Sequence, residues 1–501
     1  MNALKTQEIS RWVFFCICML AAIRVFIYSA AFPFFGNIDE QAHLDLVVRY
    51  SQANPPTAIE GIDRNTAFYI PRMESPEYFN LPSEQPGGVF KQPVWTKPQE
   101  SLERYYREGQ DYWSANLRNH EASQPPAYYW IAGEWMRIGT WLGFQEGILL
   151  YWVRFLNVLI AVLLVLISIK ITALVFPENV FLNLGIPLMI ALWPQDSFYA
   201  IQNDSLSPLF FGVSFYLLIR FVKSGYSAVS WGLLSGLMLG LTGLVKVTNY
   251  PLLLLAPGWM LFNRKLLLSG KIRTIIPSVL LLLGAFLPVA IWMNANLAIW
   301  GDLTGSAAKI RQLGWTALPV YEWFDHPLFS VSGFSEFLTG NLKTFWRGEL
   351  IWWKSPIAMS LADWVFIITT LIFLPWGLIS SGKTRDKMQV QVSLISGLGF
   401  ILLLLLMGFL SIQFDYGVCE NPSRAHPYFV SGRLISGAMI PFAILYLQGL
   451  YHAVRWIKSE QAGLWTIAAL FFFYIASEAI IHIPVFESSY NFFHYITNRQ
   501  F

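Results

Sequence analysis

Apolar residues in this chain gather into long unbroken runs, separated by short charged stretches and two long polar ones. Runs of spanning length recur at about 12–33, 150–170, 180–200, 207–222, 231–246, 250–262, 275–298, 361–380, 391–412, 433–450 and 462–483. A helix of ~20 apolar residues crosses the hydrocarbon core of a bilayer. The pattern predicts an all-α polytopic membrane protein with about 11 transmembrane helices.

The loops orient these helices. Lys170; Arg220 and Lys223; Arg264, Lys265, Lys271 and Arg273; Lys383, Arg385 and Lys387; and Arg455 and Lys458 lie between alternate runs, which places those short loops in the cytoplasm. The same alternation puts the N-terminus inside and the C-terminus outside. The two long polar regions, 34–149 and 299–360, then lie on the outer face as extensions of one transmembrane domain spanning residues 1–501. Residues 54–98, rich in Pro, Gly and Asn, read as irregular. QPPAYYWIAGEWMRIGTWLGF (124–144) opens on Pro-Pro and carries Glu134 and Arg137 among aromatics, which predicts an interfacial helix with the charges on its wet face.

Composition sharpens this. Of 501 residues, 55% are hydrophobic and 13% charged, against roughly 25% charged in soluble domains, and the mean hydropathy is +0.46. The 34 Lys+Arg against 31 Asp+Glu give a net charge of +3, too balanced for a nucleic-acid binder. Cys16, Cys18 and Cys419 form neither a disulfide framework nor a CxxC pair. Ser29, Ala30 and Ala31 have the small-residue character of a signal-peptide cleavage site, but the preceding run approaches full spanning length, so an uncleaved anchor is expected. There is no GxxxxGK[ST] or GxGxxG motif and no repeat of 20–50 residues.

Candidate chemistry clusters at the outer ends of the runs. In GNIDEQAHLDLVVRY, Asp39 and Glu40 follow the first run at the start of a helix. Asp39 there serves either as an N-cap or as a carboxylate that takes a proton from a hydroxyl nucleophile. Glu40 and His43 share a helix face, but a single ExxH without a second ligand pair falls short of a metal centre, and no metal or cofactor is expected, although a divalent cation is chemically compatible. Lys246 ends GLMLGLTGLVK on a short outer turn, against the positive-inside bias. Arg433 in SGRLISGAMIPF and Arg154 in LLYWVRFLNVL begin runs at the same face. Three cations at the outer interface suit an anionic group such as a lipid phosphate. Asn203 and Asp204 form an outer turn that turn chemistry alone would explain. Trp353 and Lys354 lie in FWRGELIWWKSP, where aromatics among charges fit a membrane belt or the face of a pyranose ring. Arg24, near the middle of the first run, has no assigned role.

The order IDEQAH, QPPAYYW, GLMLGLTGLVKVTNY and SGRLISGAMIPF resembles the GT-C superfamily of membrane glycosyltransferases. WGDLTG (300–305), FWRGELIWWKSP and SGRLISGAMIP look closest to the predicted membrane proteins grouped as domain of unknown function 2142. The resemblance implies inverting sugar transfer from a polyprenyl-phosphate donor to a glycan, lipid or protein acceptor at the outer face of a bacterial inner membrane. It implies Asp39 as general base, Glu40 as positioning acid, and Lys246, Arg433 and Arg154 on the donor phosphate; His43, Asn203, Asp204, Trp353 and Lys354 are expected on the sugar or acceptor. The rest of the first loop is longer than, and unlike, that of the protein mannosyltransferases and aminoarabinose transferases. Rival readings are a transporter or flippase of lipid-linked sugars and a non-catalytic subunit of envelope polysaccharide assembly.

Overall fold

The computed structural model describes residues 11–36, 39–98, 102–264, 272–419, 421–455 and 460–498. Lys265, Lys271 and Lys458, read above as cytoplasmic-loop cations, lie outside the described residues. Each of the eleven apolar runs contains helix, though not always a single unbroken one. Seven are long and apolar enough to cross a membrane: Arg11–Ala31, Glu146–Val175, Asn203–Lys223, Ile272–Trp300, Ser360–Ser381, Lys387–Gln413 and Gly432–Arg455. Val180–Ala191, Val229–Gly243, Val247–Phe262 and Trp465–Ile481 are shorter apolar helices. The chain is a multi-pass membrane protein, with many lipid-compatible side chains such as Leu163, Leu287 and Phe472 turned outward.

The run at 180–200 does not form one helix. It stops at Ala191, and residues 192–206 continue as irregular backbone and short 3₁₀ turns, almost entirely buried. Irregular backbone at membrane depth persists only where protein satisfies its polar groups. Arg24 does so here: its Nε donates to the Ala191 carbonyl at 2.9 Å and its Nη2 to the Trp193 carbonyl at 2.7 Å, while Nη1 meets Glu478 at 2.6 Å. Arg154 plays the matching part at the end of the first helix, donating from Nη1 to the Ser29 carbonyl and from Nη2 to the Pro33 carbonyl, both at 3.2 Å.

Helix Val229–Gly243 packs backbone to backbone on Ile272–Trp300. A Cβ on Gly232, Gly236 or Gly240 would lie 2.4, 2.2 or 2.6 Å from the carbonyl oxygens of Pro277, Leu281 and Gly284. Spacing of four places these glycines on one face, the small-residue seam of close helix contacts in membranes. The seam fixes where the following turn, with Lys246, emerges.

The first long loop departs from its irregular expectation at Arg64–Met73, a helix N-capped by Asp63, whose side chain accepts from the Asn65 N–H at 2.8 Å. Thr66, Ala67, Ile70 and Met73 form its buried face, and a second loop helix, Glu103–Asn116, packs against it. The 124–144 stretch contains helix Ala127–Trp141, with Tyr128, Tyr129, Ala132 and Met136 buried and Trp130, Trp141, Glu134 and Arg137 outward. Trp135 and Trp152 stack 4.1 Å apart and exchange indole-to-carbonyl hydrogen bonds at 2.7 Å, pinning this helix to the one that begins at Glu146.

The two long loops lie on the same side of the helices and touch. Lys309 of the second pairs with Glu121 of the first, and Lys354 with Glu84. The C-terminal segment joins them there, with Trp95 edge-on to Tyr490 and Tyr495.

Candidate active site

Asp39 occupies the N-cap position of helix Glu40–Ser51 in a left-handed conformation (φ 60°), yet its side chain makes no capping hydrogen bond. The carboxylate is left free to face a cluster of charges and is a third exposed. Left-handed backbone is tolerable for Asp, and such strain gathers at functional sites.

Five segments build the cluster around this carboxylate, two of them touching it directly. His120, from the end of the first loop, brings Nε2 to 3.6 Å from Asp39 Oδ1 and 3.5 Å from Glu121 Oε1. Arg433 places Nη2 3.9 Å from Asp39 Oδ2 and Nη1 3.8 Å from Asp204 Oδ2, and donates from Nη1 to Gln202 Oε1 at 3.1 Å. Lys246 donates to Asp204 Oδ1 at 2.6 Å. Glu349, from the second loop, pairs with the Arg433 Nε and accepts from Ser431 at 2.6 and 2.7 Å. The irregular segment 192–206 thus delivers Gln202 and Asp204 to the site. Asp196 in the same segment anchors the second loop by accepting the Glu349 and Leu350 N–H groups at 2.9 and 2.8 Å. Gly348 permits that approach: it sits at φ 89°, and a Cβ there would lie 1.9 Å from the Asp196 carboxyl.

Burial alone would push the Asp39 carboxyl up, but its neighbours His120 and Arg433 hold it below its usual range. Burial is likewise outweighed at Glu121, where the Lys309 ammonium holds the carboxyl well below its usual range. Gln202 Nε2, Asn203 Oδ1 and Asp204 Oδ2 are buried polar atoms without a hydrogen bond among the described residues. Such groups are rare in folded proteins, and a run of three points to a ligand or ordered water that pairs them.

Asp39, Lys246, Arg433 and Asp204 therefore come together, and Asn203 joins them, donating to the Val245 carbonyl at 3.2 Å. The structure does not bring Glu40 and Arg154 there. They pair with each other in a closed pocket, the guanidinium Nη2 reaching both carboxylate oxygens at 2.7 Å, and Glu40 also accepts the Phe35 and Ile201 N–H groups at 3.0 and 2.8 Å. Neither has capacity left for a substrate. His43 bonds the Tyr129 hydroxyl at 2.7 Å from a buried position near Asp39, Asp204, Lys246 and Glu121. Trp353 and Lys354 form the tip of a two-residue hairpin, both at positive φ as a mirror-image turn requires, and Lys354 pairs with Glu84 at 2.5 Å instead of joining the cluster. Sequence position alone does not single out His120, Glu121, Gln202 or Lys309; the clearest local signal is the adjacent His120 and Glu121, shortly before the Pro125-Pro126 helix start.

Asp39, His120 and Glu121 offer ligand atoms within 4.8 Å of one another, a donor set suited to a divalent cation. Glu121, however, already accepts from Lys309 and Gln124, so a cation there would have to displace an ammonium group.

No curated protein matches the chain. Two solved structures of an archaeal oligosaccharyltransferase from Archaeoglobus fulgidus are similar to it at a TM-score of 0.46. One, AglB in complex with an inhibitory peptide and a dolichol-phosphate, is 12% identical over 94% of this chain; the other, tethered to an acceptor peptide, is 11% identical over 97%. The chain spans 56% of the length of each. A family model of predicted membrane proteins, DUF2142, matches residues 19–418. This chain belongs to the DUF2142 family of predicted membrane proteins.

Proposed function

We propose that this protein is an integral-membrane glycosyltransferase that moves a sugar from a polyprenyl-phosphate donor to an acceptor hydroxyl at the outer face of a bacterial inner membrane. The observation that carries this reading is the uncapped Asp39 carboxylate within ion-pair range of Arg433, where both long loops meet. Asp39 takes the hydroxyl proton as the acceptor oxygen attacks the anomeric carbon. The bond from that carbon to the phosphate oxygen breaks on the opposite face, the electron pair leaves with the phosphate, and the configuration inverts. Arg433 and Lys246 meet the growing negative charge. The long contacts of Arg433 to Asp39 and Asp204, at 3.9 and 3.8 Å, are the ones that phosphate oxygens would replace with short bonds. No step requires a metal or a nucleotide.

A flippase would use charges in the interior of the helices. One such pair, Arg24 and Glu478, is spent on two backbone carbonyls and Tyr199. A non-catalytic subunit gives no reason for Asp39, Lys246 and Arg433 to converge.

Purified protein incubated with a panel of polyprenyl-phosphate sugars should release polyprenyl phosphate. Asp39→Asn should lower that turnover by about 100-fold or more while leaving the melting temperature unchanged. Near-normal turnover in this variant removes Asp39 as the base.

A further inference from the structure

Helix Ser306–Leu313 faces two ways. Lys309 reaches Glu121, which stands beside His120 and so next to Asp39. Arg311 and Gln312 line a separate cleft of about 390 Å³, walled by Thr57 and Ile59 of the first loop and by Ile299 and Trp300 at the end of the long helix Ile272–Trp300. That volume falls within the range of small-ligand sites, about 300–1,000 Å³. A single side chain, Lys309, thus joins the cleft's helix to the catalytic cluster.

The lining has a definite chemistry. Ile59, Ile299 and Trp300 offer an apolar surface suited to the C–H face of a sugar ring. The Thr57 hydroxyl, the Trp300 indole N–H, the Arg311 guanidinium and the Gln312 amide have no hydrogen-bond partner among the described residues. Four polar tips around five apolar side chains, two of them alanines, suit hydroxylated rings better than acyl chains. The one formal charge is a guanidinium, which grips a carboxylate through two parallel hydrogen bonds.

We propose that this cleft is an outlying acceptor subsite, holding the acceptor away from its reacting hydroxyl, and that it takes an acidic saccharide bearing uronate carboxylates, an assignment that rests on the transferase reading and names its acceptor class. A suitable probe is a galacturonate trimer titrated calorimetrically into the full chain in phosphatidylcholine nanodiscs, with maltotriose as the neutral comparison. The acidic trimer should bind about tenfold more tightly, as expected for a charge-assisted hydrogen bond. Arg311→Ala should erase that preference, Arg311→Lys should keep part of it, Trp300→Ala should weaken both sugars, and Lys383→Ala should change neither. Equal binding of the two trimers, or an Arg311→Ala variant that keeps the preference, overturns the assignment. So does loss of trimer binding in phosphatidylglycerol nanodiscs that Arg311→Ala relieves, since the cleft would then hold a lipid headgroup. Failure of the wild-type protein to release polyprenyl phosphate from any donor is a separate result, which sinks the transferase reading whatever the trimers do.

Discussion

Set among Glu121, Lys246, Asp39 and Asp204, the His43 ring is held neutral chiefly by burial, which pushes it down to about 4 from an ordinary 6.5. A group whose folded value is depressed contributes stability that is complete above its unfolded value and is lost as pH falls through the folded one. Stability should therefore drop between about pH 6.5 and 4, by on the order of 3 kcal/mol from this residue, and His43→Gln should flatten that part of the profile in chemical denaturation. An unchanged slope would place the sensitivity elsewhere. Asp39, Lys246 and Arg433 stood out in the sequence because each is a charge at the edge of an apolar run. Glu40 and Arg154 stood out for the same reason, and nothing local reveals that two residues 114 positions apart cancel each other in a sealed pocket. Sequence position identifies an unusual charge, but only the fold says what that charge faces.

At the level of elements, two arginines do related work. Arg154 and Arg24 each gather the carbonyls at the C-terminal end of an apolar helix, where the dipole is negative, and each is balanced by a buried glutamate. Arg24→Leu would strand Glu478 without a counter-ion, a loss of about 3–5 kcal/mol that should appear as a sharply lower melting temperature in detergent. Adding Glu478→Leu should recover part of it, because the stranded charge goes but the Ala191 and Trp193 carbonyls still lack their donor. Full recovery would mean that capping these carbonyls contributes nothing. The helices themselves were legible, since unbroken apolar runs leave little choice of structure. The stop at Ala191 was not, because it depends on a guanidinium from the first helix. Nor was Arg64–Met73, whose ten residues form a single short amphipathic face within Pro- and Gly-rich surroundings.

On the scale of the whole molecule, the first helix leads into the first long loop, and the C-terminal segment packs against that same loop. The first and last described helices therefore place their far ends on opposite sides, which an odd number of crossings requires. In a cysteine-free background, Asp111→Cys and Phe324→Cys should react with a membrane-impermeant maleimide on intact cells, and Lys383→Cys only after permeabilisation. The reverse pattern would put the charged cluster in the cytosol and end the proposed chemistry. The glycine seam between Val229–Gly243 and Ile272–Trp300 links this architecture back to Asp204. With Leu281 O only 2.2 Å from where a Gly236 Cβ would stand, one extra methyl acts as a wedge between two rods. The lever it moves ends at Lys246, so a substitution at Gly236, far from the charged cluster, should loosen the Lys246–Asp204 pair without touching either residue.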